Sequence, residues 1–306
     1  MNHLSFYWLP ENKDLLLKGI ESEFSQFIEH AVSNRKIALP PIPEVVLKIQ
    51  KLCTEETTSV SDVADTLLED PSLVATIIRV ANSVIFNRRN ITCTDVMTAV
   101  SRLGILRVRD IVTAQAIEQL KHSVNLSHTC NRILADSALN SRELAATMIM
   151  VVRGFKESGS PIYNNLEPEK ALLTGLLADI GLFCLVSEYH HYLENGNYLA
   201  EDIAFMVFER LCSDTSYLVL DTWGFDNDFL EVSSNQALQQ SLDEVSYLDV
   251  ARMAHHILMF RRQDENIDDH VVKFDVTGAD VLYKLSNLSD IEFNAQLDEL
   301  ISASGL

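Results

Sequence analysis

The sequence predicts an all-α fold, a bundle of many helices, and three observations carry that prediction. Chain breakers are scarce: 10 glycines and 7 prolines in 306 residues leave little material for the turns of a β architecture. Apolar residues recur at helical spacing along most of the chain. Prolines 43, 71 and 168 stand where a helix can begin, and Pro71 follows Asp70, a residue suited to capping it.

The elements follow in order. Leu17, Ile20, Phe24, Phe27 and Ile28 give one amphipathic helix within residues 1–36, placed either against the rest of the chain or at a dimer contact. The prolines of Leu39-Pro40-Pro41-Ile42-Pro43 force an extended entry, and Pro43 starts a helix with Val46, Ile49 and Leu52 as its buried stripe. Ser61-Asp62-Val63-Ala64 opens a short helix that turns Leu67 and Leu68 inward. Asp70 then caps a helix with Pro71 at its first position and Leu73, Ile77 and Val80 on one face. Thr94-Asp95 caps a helix that Gly104 stops, and Val108, Ile111, Val112 and Ala116 stripe the next. Ile133 to Val152 is a long amphipathic segment, 154–166 a loop by its Gly, Ser, Pro and Asn content, and Glu167-Pro168 a further start, with Leu172, Leu173, Leu176 and Leu177 buried. Residues 197–222 and 243–261 are helical. The acidic tail after 262 allows a short strand at Val271 to Val276.

A hydrophobic share of 47% is that of a globular protein with a sizeable core, not of a disordered chain. Asp and Glu number 44 against 24 Lys and Arg, a formal net charge of −20, which repels phosphate backbones and anionic membranes and argues against both as partners. Arg102, Arg107 and Arg109 are the best local exception, read as a solvated helix end. Five scattered cysteines without CxxC spacing fit reduced thiols. No signal peptide is visible, and apolar runs such as Ile180 to Val186 are too short to cross a bilayer, so the expected compartment is the cytoplasm.

Five short signatures line up in one order: Leu39-Pro40-x-Ile42-Pro43, Asp70-Pro71-x-Leu73, Ala81-Asn82-Ser83, Ala99-x-x-x-Leu103-Gly104, and Gly175-Leu176-Leu177-Ala178-Asp179-Ile180-Gly181. Together they resemble the HDOD family, a bacterial branch of the HD superfamily, over roughly residues 36–260. The resemblance implies an HD-like helical bundle, with a lead-in at 1–36, an HDOD domain at 37–260 in two halves (37–125 and 126–260), and an acidic extension at 261–306. It also implies a role in bacterial signal transduction.

HD hydrolases gather His and Asp around divalent ions that generate hydroxide for attack on a phosphate ester. At the position of the adjacent His-Asp pair that names the superfamily, this chain reads Ala178-Asp179, and alanine ligates nothing. In the helix that resembles the one bearing a further ligand histidine, Asp136 stands in its place. Another ligand position falls near Cys212, and a His-His pair expected near Ser233 to Asn235 has no histidine. Asp136 and Asp179 remain weak candidates for holding Mg²⁺; the plainer role for Asp179 is bracing backbone at the Ile180-Gly181 turn. His190-His191 and His255-His256 are adjacent pairs whose members point about 100° apart on a helix and do not chelate together. Cys184, inside an apolar run, reads as an inert buried thiol. G-x-S-x-G, Walker A and GxGxxG patterns are all missing.

These observations lead to the expectation of a protein that is not an enzyme and needs no cofactor. It would be a signalling module on a degenerate HD scaffold that binds a signalling protein in trans or a small ligand, with a homodimer left open. A cleft between the two halves is the expected place, and Asn82, Ser83, Asp136 and Asp179 are the polar residues expected to line it. Two alternatives stay open: a metal-dependent phosphohydrolase with atypical ligands, and an acidic mimic of nucleic acid.

Overall fold

In the computed structural model, residues 23–305 are described apart from 88, 124, 239–244, 266, 268–271, 273 and 274, and among the described residues there is no strand. Capping by short polar side chains punctuates the chain. Helix α1 spans Glu23–Ser33 and α2 Glu44–Leu52, the latter entered through Pro43. Helix α3, Val60–Leu67, begins in a reciprocal cap in which Ser59 and Asp62 bond one another's backbone amides. Helix α4, Pro71–Asn82, carries the expected Asp70 cap, whose Oδ1 accepts from the amides of Ser72 and Leu73. Helix α5, Val96–Leu103, is capped by Asp95 through the Thr98 amide. At Gly104 φ is +83° with an extended ψ of 148°, a sharp corner rather than a left-handed stop, and α6, Ile105–Ser123, starts at once.

The second half is built on α7, His128–Glu157, which packs against α8 (Pro168–Leu177), α9 (Gly181–Glu194) and α6. Helix α10, Glu201–Thr222, lies along α9, and α11 (Asn227–Ser234) and α12 (Tyr247–Arg262) close the group. Two more helices, α13 (Val276–Ser286) and α14 (Asp290–Ser304), pack on α7. One continuous apolar core runs through all of these elements, from Phe24 and Val46 to Leu297 and Leu300.

Several expectations need correcting. Leu17 and Ile20 lie outside the described residues. Phe24 and Ile28 bury their side chains against α9 and α10, with the Phe24 ring 5.9 Å from that of Tyr189, whereas Phe27 faces solvent because it lies off that stripe. Leu68 is exposed: it follows the last helical residue of α3 and escapes the buried face that Leu67 occupies. Gly154 is no loop residue, since α7 continues to Glu157 and the missing side chain lets Val281 of α13 approach, its Cγ1 2.9 Å from where a Cβ would stand. The allowed strand at 271–276 is not seen: Val272 and Asp275 are not extended into one, and Val276 is the first residue of α13, with Asp275 accepting from the Gly278 amide. Val271, Lys273 and Phe274 lie outside the described residues. Finally, Pro168–Glu194 is long and apolar enough to cross a membrane, contrary to the reading of its parts. It is interrupted at residues 178–180 into α8 and α9, and 78% of its most apolar window is buried inside the protein.

Candidate functional site

Asp179 ends up in the interior, between α6, α7 and the turn from α8 to α9. Its Oδ1 accepts from the Lys121 ammonium at 2.9 Å and from Ser141 Oγ at 2.8 Å, and its Oδ2 accepts from Ser137 Oγ at 2.5 Å. Lys121 also donates to Ser141 Oγ at 3.1 Å. Ser137 and Ser141 stand one turn apart on α7, so both face the same carboxylate. Asp179 therefore braces side chains, not the backbone of the Gly181 turn as its place in the sequence suggested. The ion pair is nearly sealed, the Lys121 side chain being 1% and that of Asp179 12% exposed.

The turn itself is held by contact. A Cβ on Gly181 would stand 2.4 Å from the Ser216 amide nitrogen and 2.7 Å from the Cys212 carbonyl oxygen, so only glycine lets α9 meet α10 there. Ser216 Oγ accepts from the Gly181 amide at 2.9 Å.

Asp136 is not part of this network. The buried face of α7 runs through Ile133, Leu134, Ser137, Ala138 and Ser141, and Asp136, one residue before Ser137, turns to solvent. The pairing of Asp136 with Asp179 is thus not formed. Cys212 does come near Asp179, but burial and the Asp179 charge push its thiol up to about 12, which keeps it a neutral thiol rather than a thiolate ligand. Ala178 is buried and offers no donor. Ser233 and Ser234 bond the carbonyl of Leu230 within their own helix.

These residues do not fit the divalent ion that the HD superfamily implies. A metal site needs open lone pairs on anionic or imidazole ligands. Here both oxygens of the one carboxylate already accept bonds, and an ammonium supplies the compensating charge. Among the described residues no three His, Cys, Asp or Glu side chains gather in a way that holds a metal.

Asn82 and Ser83 sit elsewhere, at the end of α4. The Asn82 amide copies a peptide group: its Nδ2 donates to the Cys93 carbonyl at 2.7 Å and its Oδ1 accepts from the Cys93 amide at 2.8 Å. Arg102 Nη1 donates to the Ala81 carbonyl at 2.9 Å and approaches Asn82 Oδ1 at 3.4 Å. Ser83 Oγ is buried without a hydrogen-bond partner among the described residues. The four candidates therefore do not form one lining: Asn82 and Ser83 shape the loop after α4, Asp179 is interior and Asp136 is exposed.

The arginines differ from a solvated helix end. Arg109 is buried, donating to Asp110 Oδ1 and to the Gly224 carbonyl, both at 2.8 Å, with its guanidinium 4.3 Å from the Phe225 ring centroid. It ties α6 to the turn after α10. Burial pushes the Asp110 carboxyl up to about 6, against the opposing pull of Arg109. Arg107 pairs with Glu167 at 2.8 Å and remains partly exposed.

A model of the HDOD domain matches residues 39–238, most of the chain. The chain belongs to the HDOD family. Among solved structures, this HDOD protein is similar to one provisionally named a metal-dependent phosphohydrolase, from Shewanella amazonensis SB2B. The two share 21% identity over 96% of this chain and 99% of the other, with a TM-score of 0.68. A second protein of that organism, provisionally named a phosphohydrolase, matches at 18% identity over 94% of this chain and all of its own, with a TM-score of 0.52. An HDOD domain protein of unknown function from Geobacter sulfurreducens shares 18% identity over 90% and 97% of the two chains, with a TM-score of 0.49. At such identities the first two likenesses speak for the HD-like fold and not for an activity. A search of curated proteins by sequence found no match. Helices α12 to α14 lie beyond the HDOD match, and the Lys121, Ser137, Ser141 and Asp179 network lies within it.

Proposed function

We propose that this HDOD protein is a non-catalytic signalling module of the bacterial cytoplasm that uses an HD-type helical scaffold to engage a partner in trans. The observation that carries the reading is the Lys121–Asp179 ion pair. A buried ammonium bonded to the one acidic residue left from the HD pair does the electrostatic work of a cation without its chemistry: it activates no water and polarises no phosphate. Ala178, Ser137, Ser141 and a neutral Cys212 around it add packing and hydrogen bonds but no base and no activated nucleophile. The family resemblance adds the signalling context.

The test is elemental analysis of protein purified without chelator and then exposed to Mn²⁺, Fe²⁺ and Mg²⁺. It is paired with assays of phosphomonoesters, phosphodiesters and nucleotides. The expected result is near-zero metal stoichiometry and no metal-dependent hydrolysis. About one or two ions per chain together with turnover would replace this reading with that of a phosphohydrolase using unusual ligands.

A further inference from the structure

On a chain of net charge −20, one surface groove gathers three guanidiniums and no lysine. It has a volume of about 710 Å³ and lies where the loop after α4 and the helix α5 meet the start of α6 and of α8, at the junction of the two halves. Arg89 is exposed on the loop. Arg102 is fixed by its bonds to Ala81 and Asn82, and Arg107 by its partly exposed pair with Glu167. Beside them stand two apolar side chains that the fold leaves in water, Ile91 at 59% and Met97 at 41% exposure.

We propose that this groove is a docking site for a peptide segment of a partner protein in which acidic residues alternate with apolar ones. The proposal rests on the reading of the protein as a partner-binding module. Charge complementarity names the occupant. Arginine presents a planar fork that matches a carboxylate bidentately, and three such groups spread along one groove suit carboxylates spaced along a chain. Glu167, already paired with Arg107, and Glu169 form part of the same wall. The guanidiniums therefore stand apart between acidic groups and do not make the undivided positive patch that the concentrated charge of a nucleotide or nucleic-acid backbone calls for. Exposed Ile91 and Met97 supply the apolar anchors that a peptide needs and a phosphate does not, methionine being adaptable to varied partners. The groove is open rather than enclosed, as suits a segment of polypeptide that enters and leaves along its length.

The experiment selects random dodecapeptides displayed on phage against the full chain, in parallel against R89A and R89E/R107E, all three first shown by circular dichroism to melt as folded proteins. R89A protects the test, because R107E sets a new carboxylate beside Glu167 and the double variant is the one at risk of unfolding. The expected outcome is enrichment of peptides with Asp or Glu between Leu, Ile, Phe or Met, and about tenfold weaker binding of a selected peptide to R89A by fluorescence anisotropy. No enrichment, enrichment of basic peptides, or binding that R89A retains in full overturns the proposal. Titration with inorganic phosphate and with ATP forms the other arm: saturable binding that R89A loses assigns the groove to phosphate ligands and also overturns it. Metal-dependent hydrolysis by a protein that still selects acidic peptides would sink the non-catalytic reading and leave the docking site standing. The reverse pattern would sink only the docking site.

Discussion

The ammonium of Lys121 and the carboxylate of Asp179 meet at 2.9 Å inside the bundle, joined by two serine hydroxyls from a single face of α7. Removing one partner of a buried pair strands the other charge in a medium that cannot solvate it, which costs about 3–5 kcal/mol, whereas removing both is far milder. K121M and D179N are each expected to lower unfolding stability by about that amount. K121M/D179N, which leaves a neutral amide between Ser137 and Ser141, is expected to recover at least half of the loss. Urea denaturation of the four proteins closes the cycle; a double variant as unstable as the sum of the singles would show that the two groups act independently.

At Gly181 the atoms in the way are backbone, which cannot swing aside as a side chain does. G181A is expected to cost about 3 kcal/mol or more, as an overpacked contact between α9 and α10. The comparison is G159A, where φ is +70° but nothing lies within 4 Å of the new Cβ, so only backbone strain of about 1–2 kcal/mol applies. Thermal melts that rank G159A as the worse of the two would contradict the close approach.

Asp110 titrates near 6 because it is buried, and this sets the sign of its effect. Its folded-state pKa lies above the ordinary value of 3.8, so the folded protein holds the proton more tightly than the unfolded chain. The contribution to stability is fullest below about pH 4 and is lost as pH rises through about 6. Carboxyl-detected NMR is expected to show a midpoint near 6 for this residue; a midpoint below 4 would mean that the Arg109 charge outweighs burial.

Asn82→Ala removes both bonds to Cys93 and the contact with Arg102, and is expected to cost about 1–3 kcal/mol. Hydrogen exchange at the Cys93 amide should rise in step. Unchanged protection there would show that the loop is held by something other than the asparagine.

What the sequence made legible was local. Asp70 before Pro71 and Asp95 before its helix fix backbone within three residues, and both cap as read. The helical stripes of α4 and α6 were readable for the same reason, since Leu73, Ile77 and Val80, or Val108, Ile111 and Val112, each repeat within one element. The site was not legible, because its decisive contact joins Lys121 to a residue 58 positions away. A lysine near the end of a polar helix reads as solvated, and nothing in its neighbours distinguishes one that is buried. Arg109 was misread likewise, its partners being the adjacent Asp110 and the distant Gly224 carbonyl. The last two helices were missed because Asp275 and Ser289, both helix caps, sit in an acidic stretch that reads as tail. For Asp136 the resemblance suggested a ligand position, while one step of helix rotation decided that Ser137 would face the interior instead.

The bonds between Asn82 and Cys93 close a ring of chain between residues 11 positions apart, fastened by an amide in a protein whose five cysteines are all free thiols. A fastening of this kind survives a reducing environment, where a disulfide at the same place would be exposed to exchange. It also means that Arg89 and Ile91 are carried on a span whose ends are already joined before any visitor arrives. The entropy of ordering that span is charged to folding and not to association. Loosening the ring should therefore shorten the residence time of whatever settles there, even where no contact with it has been touched.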